Sequence, residues 1–213
     1  IETKFLIEKY GNSDQVSKNH NIVIIDIETD SSNGFPDMVK YDKSITAISL
    51  YDKTSNFYYC FILDKESKVS ENLNKENVII YSFNNEENLL KSFLNKWEEI
   101  GPTIVTGWNA CYNGENGGFD LPYIYGRIKN TLGDKDVSRL SPIGICYPSK
   151  RDGTIHIAGV NCIDYMLLYK KFRYVPRPTY ALGYIGKVEV GKGKILYTGS
   201  LNKLYIDDIN KYI

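Results

Sequence analysis

Two carboxylates stand at alternate positions directly after a run of β-branched residues. The stretch IVIIDIETD, residues 22–30, carries Asp26 and Glu28 after four consecutive Ile and Val residues. Alternate side chains of a strand share one face, so these carboxylates would emerge side by side at the end of a core strand. Carboxylates that close repel each other, and a divalent cation is the usual compensation because hard oxygen ligands suit Mg²⁺ or Mn²⁺. The spacing therefore predicts a strand end that presents two metal ligands.

Two further aspartates are expected near the same edge of a sheet. Asp120 precedes a helical pattern with Pro122 in its first turn, and Asp164 lies between a strand pattern and a helical pattern. Ligands gather where strand ends meet the helix starts beside them. An Asp directly before a helix is also a common N-cap, which stabilises the helix by about 1 kcal/mol. From the residues alone, the cap is the favoured interpretation for both aspartates.

Six strands and three helices are expected to position these side chains. Alternating or β-branched runs predict strands over residues 22–30, 45–51, 57–63, 78–83, 103–108 and 155–163. Helical spacing of apolar residues predicts helices over residues 84–100, 121–132 and 165–172. Asn84 and Glu87 form a capping-box pattern at the start of the first helix, and Gly101 ends it. This order predicts one α/β domain, a mixed β-sheet flanked by helices.

The composition is that of an ordinary globular protein. Hydrophobic residues make up 42% and charged residues 24% of the 213 positions. No run approaches the roughly 20 apolar residues of a membrane span, and the first residues lack a secretory leader, which predicts a cytoplasmic protein. The four cysteines form no C-x-x-C pair and are expected to be reduced, mostly buried thiols. Trp97 and Trp108 lie in patterns that predict core positions.

One segment is locally basic although the whole chain is neutral. Basic and acidic residues number 26 each, so the net charge gives no support for binding nucleic acid. Residues 170–194 are richer in Lys and Arg, with Tyr residues between them. Two interpretations stay open for this segment: a surface that follows single-stranded DNA, or a solvated face rich in loops. In the first, Lys192 and Lys194 would lie at a hairpin tip near the DNA.

Several motifs occur together in one order. DIET, then TGWN followed by FDLPYIYGRIKN, then IDYMLLYKKF closely resemble the 3′-to-5′ proofreading exonuclease domain of B-family DNA polymerases, the phage-type members most of all. GFPD, ITAISLYD, RLSP and PTYALGYI are similar as well. Joint occurrence in order is far more specific than any single motif. The resemblance covers residues 22–213 and leaves residues 1–21 as a lead-in segment. It implies an RNase H-like fold. The protein would act in the cytoplasm, which is that of an infected host cell if the protein is viral.

The resemblance also implies roles for individual residues. Asp26 and Glu28 would form the first exonuclease motif, and Asp120 would supply the carboxylate of the second. Two Mg²⁺ or Mn²⁺ ions about 4 Å apart would activate a water and stabilise the leaving 3′ oxygen, with Asp26 bridging both ions. The implied partners are the 3′ end of single-stranded DNA, primer-template DNA, the rest of a polymerase chain and a replication clamp. The residues implied near the 3′ end are Thr29, Asn109, Phe119 and Tyr123.

The second motif departs from the family pattern. Residues 110–118, with a glycine-rich NGENGG, separate Asn109 from Phe119 by more than the family's spacing. We interpret the extra residues as a flexible bulge at the rim of the site. The alternative is that Asn113 or Asn116 takes the place of Asn109, and the sequence does not decide between them.

The third motif of the family is not matched. It is a Tyr followed four residues later by a metal-binding Asp, and neither Asp207 nor Asp208 has a Tyr at that distance. The expectation is that this piece stops short of a fourth carboxylate and cuts DNA weakly or not at all. Two alternatives to a polymerase domain are a free-standing exonuclease of the same superfamily and a non-catalytic module that binds single-stranded DNA.

Overall fold

A six-stranded mixed sheet occupies the centre of the molecule. The computed structural model describes residues 20–70, 76–111, 118–151, 153–195, 197 and 199–213. The strands are β1 (Ile22–Thr29), β2 (Ile45–Asp52), β3 (Phe57–Leu63), β4 (Val78–Phe83), β5 (Ile104–Gly107), β6 (Cys146–Pro148), β7 (Ile155–Ile157) and β8 (Asn161–Asp164). The large sheet has the order β4-β3-β2-β1-β5-β8, while β6 and β7 form a separate pair. This arrangement confirms the predicted mixed sheet.

Strand β1 is central because it pairs on both sides. It runs antiparallel to β2, which places Asp26 opposite Ser49, and parallel to β5. Strand β5 in turn runs parallel to β8. The carboxyl ends of β1, β5 and β8 therefore meet at one edge of the sheet, the edge at which ligands collect in sheets of this kind.

The prediction of a single strand over residues 155–163 is wrong, because this stretch contains two strands. Ile155–Ile157 pairs with β6, whereas Asn161–Asp164 pairs with β5. Between them Gly159 adopts a φ of +89°, and a Cβ at this position would lie 2.6 Å from Cγ of Pro142. Glycine is the residue that accepts such a backbone and such a close approach. The turn at Gly159 therefore sends the chain from the small sheet into the large one.

Helix α1 (Glu86–Ile100) confirms the most regular helical pattern of the sequence. Its buried face consists of the predicted apolar residues Leu89, Leu90, Phe93, Leu94 and Trp97. The predicted capping box is wrong by one residue. Asn85, not Asn84, is the N-cap and accepts from the N–H of Asn88, while Glu87 pairs with Lys91 at 2.5 Å. Gly101 ends the helix in the left-handed region.

The remaining helices lie on both faces of the sheet. They are α2 (Asp120–Thr131), α3 (Asp134–Val137), α4 (Tyr165–Phe172), α5 (Leu182–Val190), α6 (Leu201–Asp207) and α7 (Ile209–Tyr212). One face of the sheet packs with α1 and α2 into the main core, which includes Val23, Ile25 and Ile27 of β1. Helices α2 and α4 were predicted from the sequence. Helix α5 was not predicted, since its segment was interpreted either as a surface that follows DNA or as a solvated face rich in loops.

The described residues cover the opposite face of the sheet only in part. Ile209 of α7 packs against Ala47 and Ile62, and Tyr212 shares a 2.9 Å hydrogen bond with Thr46. Ile24 of β1, on this same face, remains 45% exposed. The face is therefore open beside β1, where Asp26 and Glu28 emerge.

Two expectations from composition can be compared with the fold. All four cysteines are free thiols, but only Cys111 is fully buried, so the expectation of mostly buried thiols holds for one residue. Among the described ranges, no helix has the length and apolar content needed to cross a membrane.

Candidate active site

Strand β1 places Asp26 and Glu28 on one face of the sheet, as the alternation predicted. Val23, Ile25 and Ile27 are buried in the main core, so the residues between them point to the opposite face. The register with β2 shifts between Glu28 and Thr29, which marks an irregularity where the strand ends. The backbone of β1 therefore holds two carboxylates side by side at the open face.

Asp120 lies against the same strand. Its Oδ1 accepts a 2.8 Å hydrogen bond from the N–H of Ile27, the residue between Asp26 and Glu28. Asp120 is the first residue of α2 and only 5% exposed. The N-cap interpretation of Asp120 is wrong, because the helix is preceded by Phe119 as cap residue and the Asp120 carboxylate turns to β1 instead.

Two backbone hydrogen bonds fix the start of α2 on either side of Asp120. The N–H of Phe119 donates to Asn109 at 2.8 Å, and the N–H of Leu121 donates to Ala110 at 2.9 Å. Asn109 has a φ of +60°, which turns the chain out of β5 at this point. The two bonds close the base of the insertion, so its length need not displace Asp120. Asn113 and Asn116, the alternatives to Asn109, lie outside the described residues.

The three carboxylates influence one another electrostatically. Burial, then the neighbouring charges of Asp26 and Glu28, raise the pKa of Asp120 to about 7. Burial, then the charge of Asp26, raise the pKa of Glu28 to about 7. Asp26 keeps contact with solvent, but burial by the surrounding protein still raises its pKa. The positive charge of Lys194 opposes this increase without cancelling it. Protons and cations therefore compete for these carboxylates near neutral pH.

The donor set fits a hard divalent cation in its chemistry. Three carboxylates supply oxygen ligands, and their mutual repulsion is relieved by a positive ion. Within the described residues, however, no three His, Cys, Asp or Glu side chains are already grouped as ligands of one ion. One oxygen of Asp120 is engaged with the N–H of Ile27, which leaves its second oxygen for a ligand. Asp26, Glu28 and Asp120 are the residues that would hold a metal here.

The raised pKa values predict that the metal-free chain loses stability as the pH rises toward neutral. Folded Glu28 and Asp120 keep their protons up to about pH 7, whereas carboxyls of an unfolded chain lose theirs near about pH 4. The folded state binds more protons between these limits, so its stability falls across this window. Thermal unfolding in EDTA across this window measures the effect.

A double variant isolates the carboxylates in this titration. Glu28→Gln with Asp120→Asn should flatten the fall in melting temperature, because both groups are then neutral at every pH. Mg²⁺ or Mn²⁺ should stabilise the wild type more at the alkaline end than at the acid end. Identical pH profiles for the wild type and the double variant would contradict the prediction.

The other predicted residues near the site fall into two groups. Thr29 borders a small cleft that Glu28 also lines, and Phe119 is partly buried with its ring stacked on Tyr123 at 5.2 Å. Tyr123 is fully buried, and its hydroxyl donates to the carbonyl of Lys43 and accepts from the N–H of Lys43. Tyr123 therefore lies in the core beside Phe119, while Thr29 and Phe119 are only partly buried.

The basic segment is less open to phosphate than its composition indicates. Arg173 and Arg177 both pair with Glu189, and the Lys170 ammonium lies 4.8 Å from the ring centre of Tyr180. Lys192 and Lys194 are exposed. Lys194 also lowers the pKa of Asp26 and Glu28, which places its charge near the carboxylates. The structure thus brings Lys194, of all the basic residues in this segment, to the candidate site.

Trp108 and Asp164 differ in how well the sequence predicted them. Trp108 was predicted to be core but is only partly buried, with its indole N–H donating to the carbonyl of Tyr180 at 2.9 Å. Asp164 caps α4, as predicted, by accepting from the N–H groups of Met166 and Leu167. Its other oxygen accepts from the N–H of Cys111 at 3.2 Å.

An ion pair between α2 and α1 was not predicted from the sequence. Arg127 of α2 binds both carboxylate oxygens of Glu86, and it donates to the carbonyl of Tyr41 at 2.7 Å. Glu86 also accepts from the N–H of Ile45 at 2.9 Å. A charged residue amid the buried residues of α2 was the available signal, because such a charge needs a partner.

Comparisons with known proteins agree with this fold. The family model of the DNA polymerase family B exonuclease domain matches residues 2–185. The DNA-directed DNA polymerase of Escherichia phage RB69 is 34% identical over 216 residues, which cover 88% of this chain and 23% of the relative. The polymerase of Enterobacteria phage T4 gives the same identity and the same coverage. The DNA polymerase catalytic subunit of Alcelaphine herpesvirus 1 (strain C500) is 32% identical over 54% of this chain.

The chain spans 23% of the length of the phage relatives. The match therefore concerns one part of those polymerases, and its mixed sheet flanked by helices is consistent with an RNase H-like exonuclease fold. The chain therefore belongs to the family of exonuclease domains of B-family DNA polymerases, of the phage type.

Proposed function

We propose that Asp26, Glu28 and Asp120 form the hydrolytic centre of this exonuclease domain. The hydrogen bond from Ile27 to Asp120 carries the proposal, because it brings the third carboxylate to the strand that bears the other two. The substrate would be the 3′ end of single-stranded DNA, and each phosphodiester hydrolysis would release one terminal nucleotide. In a polymerase, this reaction removes mispaired nucleotides from the primer.

Two Mg²⁺ or Mn²⁺ ions are the proposed cofactors. When bound, such ions activate a water and stabilise the charge that develops on the leaving 3′ oxygen. The protein's own part is to hold the ligands: the backbone of β1 fixes Asp26 and Glu28, and the hydrogen bond to Ile27 orients Asp120. Lys194 adds a positive charge near these carboxylates, which reduces their repulsion.

The residues around the carboxylates would guide the 3′ end. Phe119, Thr29 and Asn109 are partly buried. They are the proposed contacts with the terminal nucleotide. Tyr123 is buried, so its proposed role is to support the Phe119 ring from behind. Lys192 and Lys194 are exposed and would contact phosphates of the approaching strand.

The domain organisation is part of the proposal. Residues 22–213 would form the exonuclease domain after a lead-in at residues 1–21, with the third motif outside this stretch. Asp208 does not complete that motif, because Leu204 and not a Tyr stands four residues before it; its carboxylate caps α7 by accepting from the N–H of Lys211. Primer-template DNA, the rest of a polymerase chain and a replication clamp are the proposed partners of the whole protein.

A metal-dependent cleavage assay tests the proposal. A 5′-labelled single-stranded oligonucleotide is incubated with Mn²⁺ and either the 213-residue chain or a longer form that carries the third motif. The expected result is a ladder of products shortened from the 3′ end, abolished by EDTA and stronger with the longer form. Mn²⁺ binding to the 213-residue chain, measured by electron paramagnetic resonance, should decrease in Asp26→Asn.

One observation favours a second candidate, a non-catalytic module that binds single-stranded DNA. Among the described residues, no three His, Cys, Asp or Glu side chains are grouped closely enough to hold one ion. This candidate predicts DNA binding without cleavage in both forms of the protein, and no difference in Mn²⁺ binding between the wild type and Asp26→Asn. That pair of results would exclude the proposed hydrolytic centre.

A further inference from the structure

Three parallel strands bring an aromatic pair next to the carboxylates. Ile24 of β1 pairs with Thr106 of β5, which pairs with Ile163 of β8. Each of these residues is followed two positions later by a residue of interest: Ile24 by Asp26, Thr106 by Trp108 and Ile163 by Tyr165. Neighbouring strands are about 4.8 Å apart, so Tyr165 begins its helix about 10 Å from β1. The Trp108 and Tyr165 side chains therefore belong to the same edge of the sheet as Asp26.

The aromatic pair combines an exposed ring with a fixed support. Tyr165 is 52% exposed, and its ring centre lies 6.2 Å from that of Trp108. Trp108 is held by the hydrogen bond from its indole N–H to the carbonyl of Tyr180 and by the Tyr169 ring at 5.8 Å. The two rings are tilted by 49° to each other, so Trp108 contacts the Tyr165 ring at an angle. An exposed ring held against a fixed ring needs little ordering when a ligand stacks on it.

The charges around this pair favour a base over a phosphate as the ligand. Arg173 and Arg177 share Glu189, and the Lys170 ammonium lies over the Tyr180 ring. These cations already have partners, whereas the Tyr165 side chain is about half exposed to solvent. Unpaired bases stack on aromatic side chains irrespective of sequence. A base in a duplex is stacked on its neighbours and is not free to do so.

We propose that Tyr165, supported by Trp108, stacks on an unpaired base within about three nucleotides of the 3′ end. The inference rests on the proposed function, since it concerns the strand whose terminus lies at Asp26, Glu28 and Asp120. Tyr165 is a positioning residue in this scheme. It holds the strand while the carboxylates act on the terminal phosphodiester, and it selects single-stranded over paired 3′ ends.

The test compares a variant that lacks the Tyr165 ring with a variant that keeps it, both in the 213-residue chain. Tyr165→Ala should weaken binding of a fluorescent oligo-dT by about tenfold, because a stacked base loses its partner. Tyr165→Phe keeps the ring and should bind like the wild type. Tyr174→Ala is the matched control, since Tyr174 is fully exposed just after the same helix. Binding is measured by anisotropy in EDTA, so the result does not depend on cleavage.

A scan with abasic sites then locates the stacked base. At one position near the 3′ end, an abasic nucleotide should weaken binding of the wild type and remove its advantage over Tyr165→Ala. Equal affinity of the wild type and Tyr165→Ala, or an advantage that survives every abasic position, would overturn the inference. Failure of the proposed function gives another pattern: Tyr165-dependent binding persists, but no 3′ cleavage occurs with Mn²⁺ in any form of the protein.

Discussion

Replacing Asp120 by Asn should slow 3′-terminal hydrolysis by about a thousandfold or more and raise the melting temperature of the metal-free chain at mildly alkaline pH. The rate falls because a neutral amide is a poor ligand for a divalent cation, and the charge stabilisation lost in the transition state amounts to several kcal/mol. A loss of about 4 kcal/mol corresponds to roughly a thousandfold in rate. The measurements are 3′ cleavage with Mn²⁺ in the longer form that carries the third motif, and thermal unfolding of the 213-residue chain in EDTA.

The opposite sign of the two effects makes this substitution informative. Asn keeps an oxygen that accepts from the N–H of Ile27, so the contact between α2 and β1 can persist. It removes a buried charge that Asp26 and Glu28 repel. A residue with a purely structural role would lower stability and activity together. Carboxylates that are held close together to bind a cation repel each other when the cation is absent, and this repulsion lowers the stability of the folded chain.

A second aspartate serves as the control for charge removal. Asp134 on α3 is exposed and pairs with Lys129 at 3.1 Å, away from β1. Asp134→Asn should leave the cleavage rate unchanged and the melting temperature nearly so, because exposed ion pairs contribute little. If Asp120→Asn cleaves at the rate of Asp134→Asn, Asp120 is not a ligand of the reacting site.

The sequence predicted those parts of the fold that local patterns determine. The alternation in β1 predicted that Ile25 and Ile27 lie on the buried face and Asp26 and Glu28 on the other, because successive side chains of a strand point to opposite faces. The apolar spacing of α1 predicted its whole buried face. Ordered motifs added the family, which no single pattern could establish.

Features that depend on contacts distant in sequence were not predictable in this way. The Ile and Val residues spread over residues 155–163 do not show that Gly159 turns the chain from one sheet to another. Asp120 had the position of a cap, and only the distant N–H of Ile27 shows its different partner. Trp108 had a core pattern, but the chain brings Tyr165 and Tyr180 to it at the edge of the sheet instead.

Loss of the Arg127 side chain should cause the largest destabilisation of any single charge in this region. Arg127 and Glu86 have side-chain exposures of 13% and 10%, and Arg127 holds both oxygens of Glu86. Arg127→Met leaves the Glu86 carboxylate buried without its cation, which should cost about 3–5 kcal/mol of unfolding free energy. Urea unfolding measures the change, provided that the slope with denaturant stays constant.

Two comparisons separate the buried charge from other effects of the substitution. Arg127→Met combined with Glu86→Gln should recover much of the loss, because Gln is neutral and can still accept from the N–H of Ile45. Lys129→Met, two residues along the same helix, removes a cation whose partner Asp134 is largely exposed. It should cost less than about 1 kcal/mol. Equal losses for Lys129→Met and Arg127→Met would contradict the argument.

The ion pair also bears on the site through the segment that it fastens. Arg127 donates to the carbonyl of Tyr41, Glu86 accepts from Ile45, and Tyr123 is bonded to Lys43 between them. These bonds tie the segment that leads from β1 into β2 to the helix that begins with Asp120. Arg127→Met should therefore loosen the relation of Asp120 to β1 and reduce Mn²⁺ affinity. The double variant with Glu86→Gln should recover stability more fully than Mn²⁺ affinity, because the bond to Tyr41 stays lost.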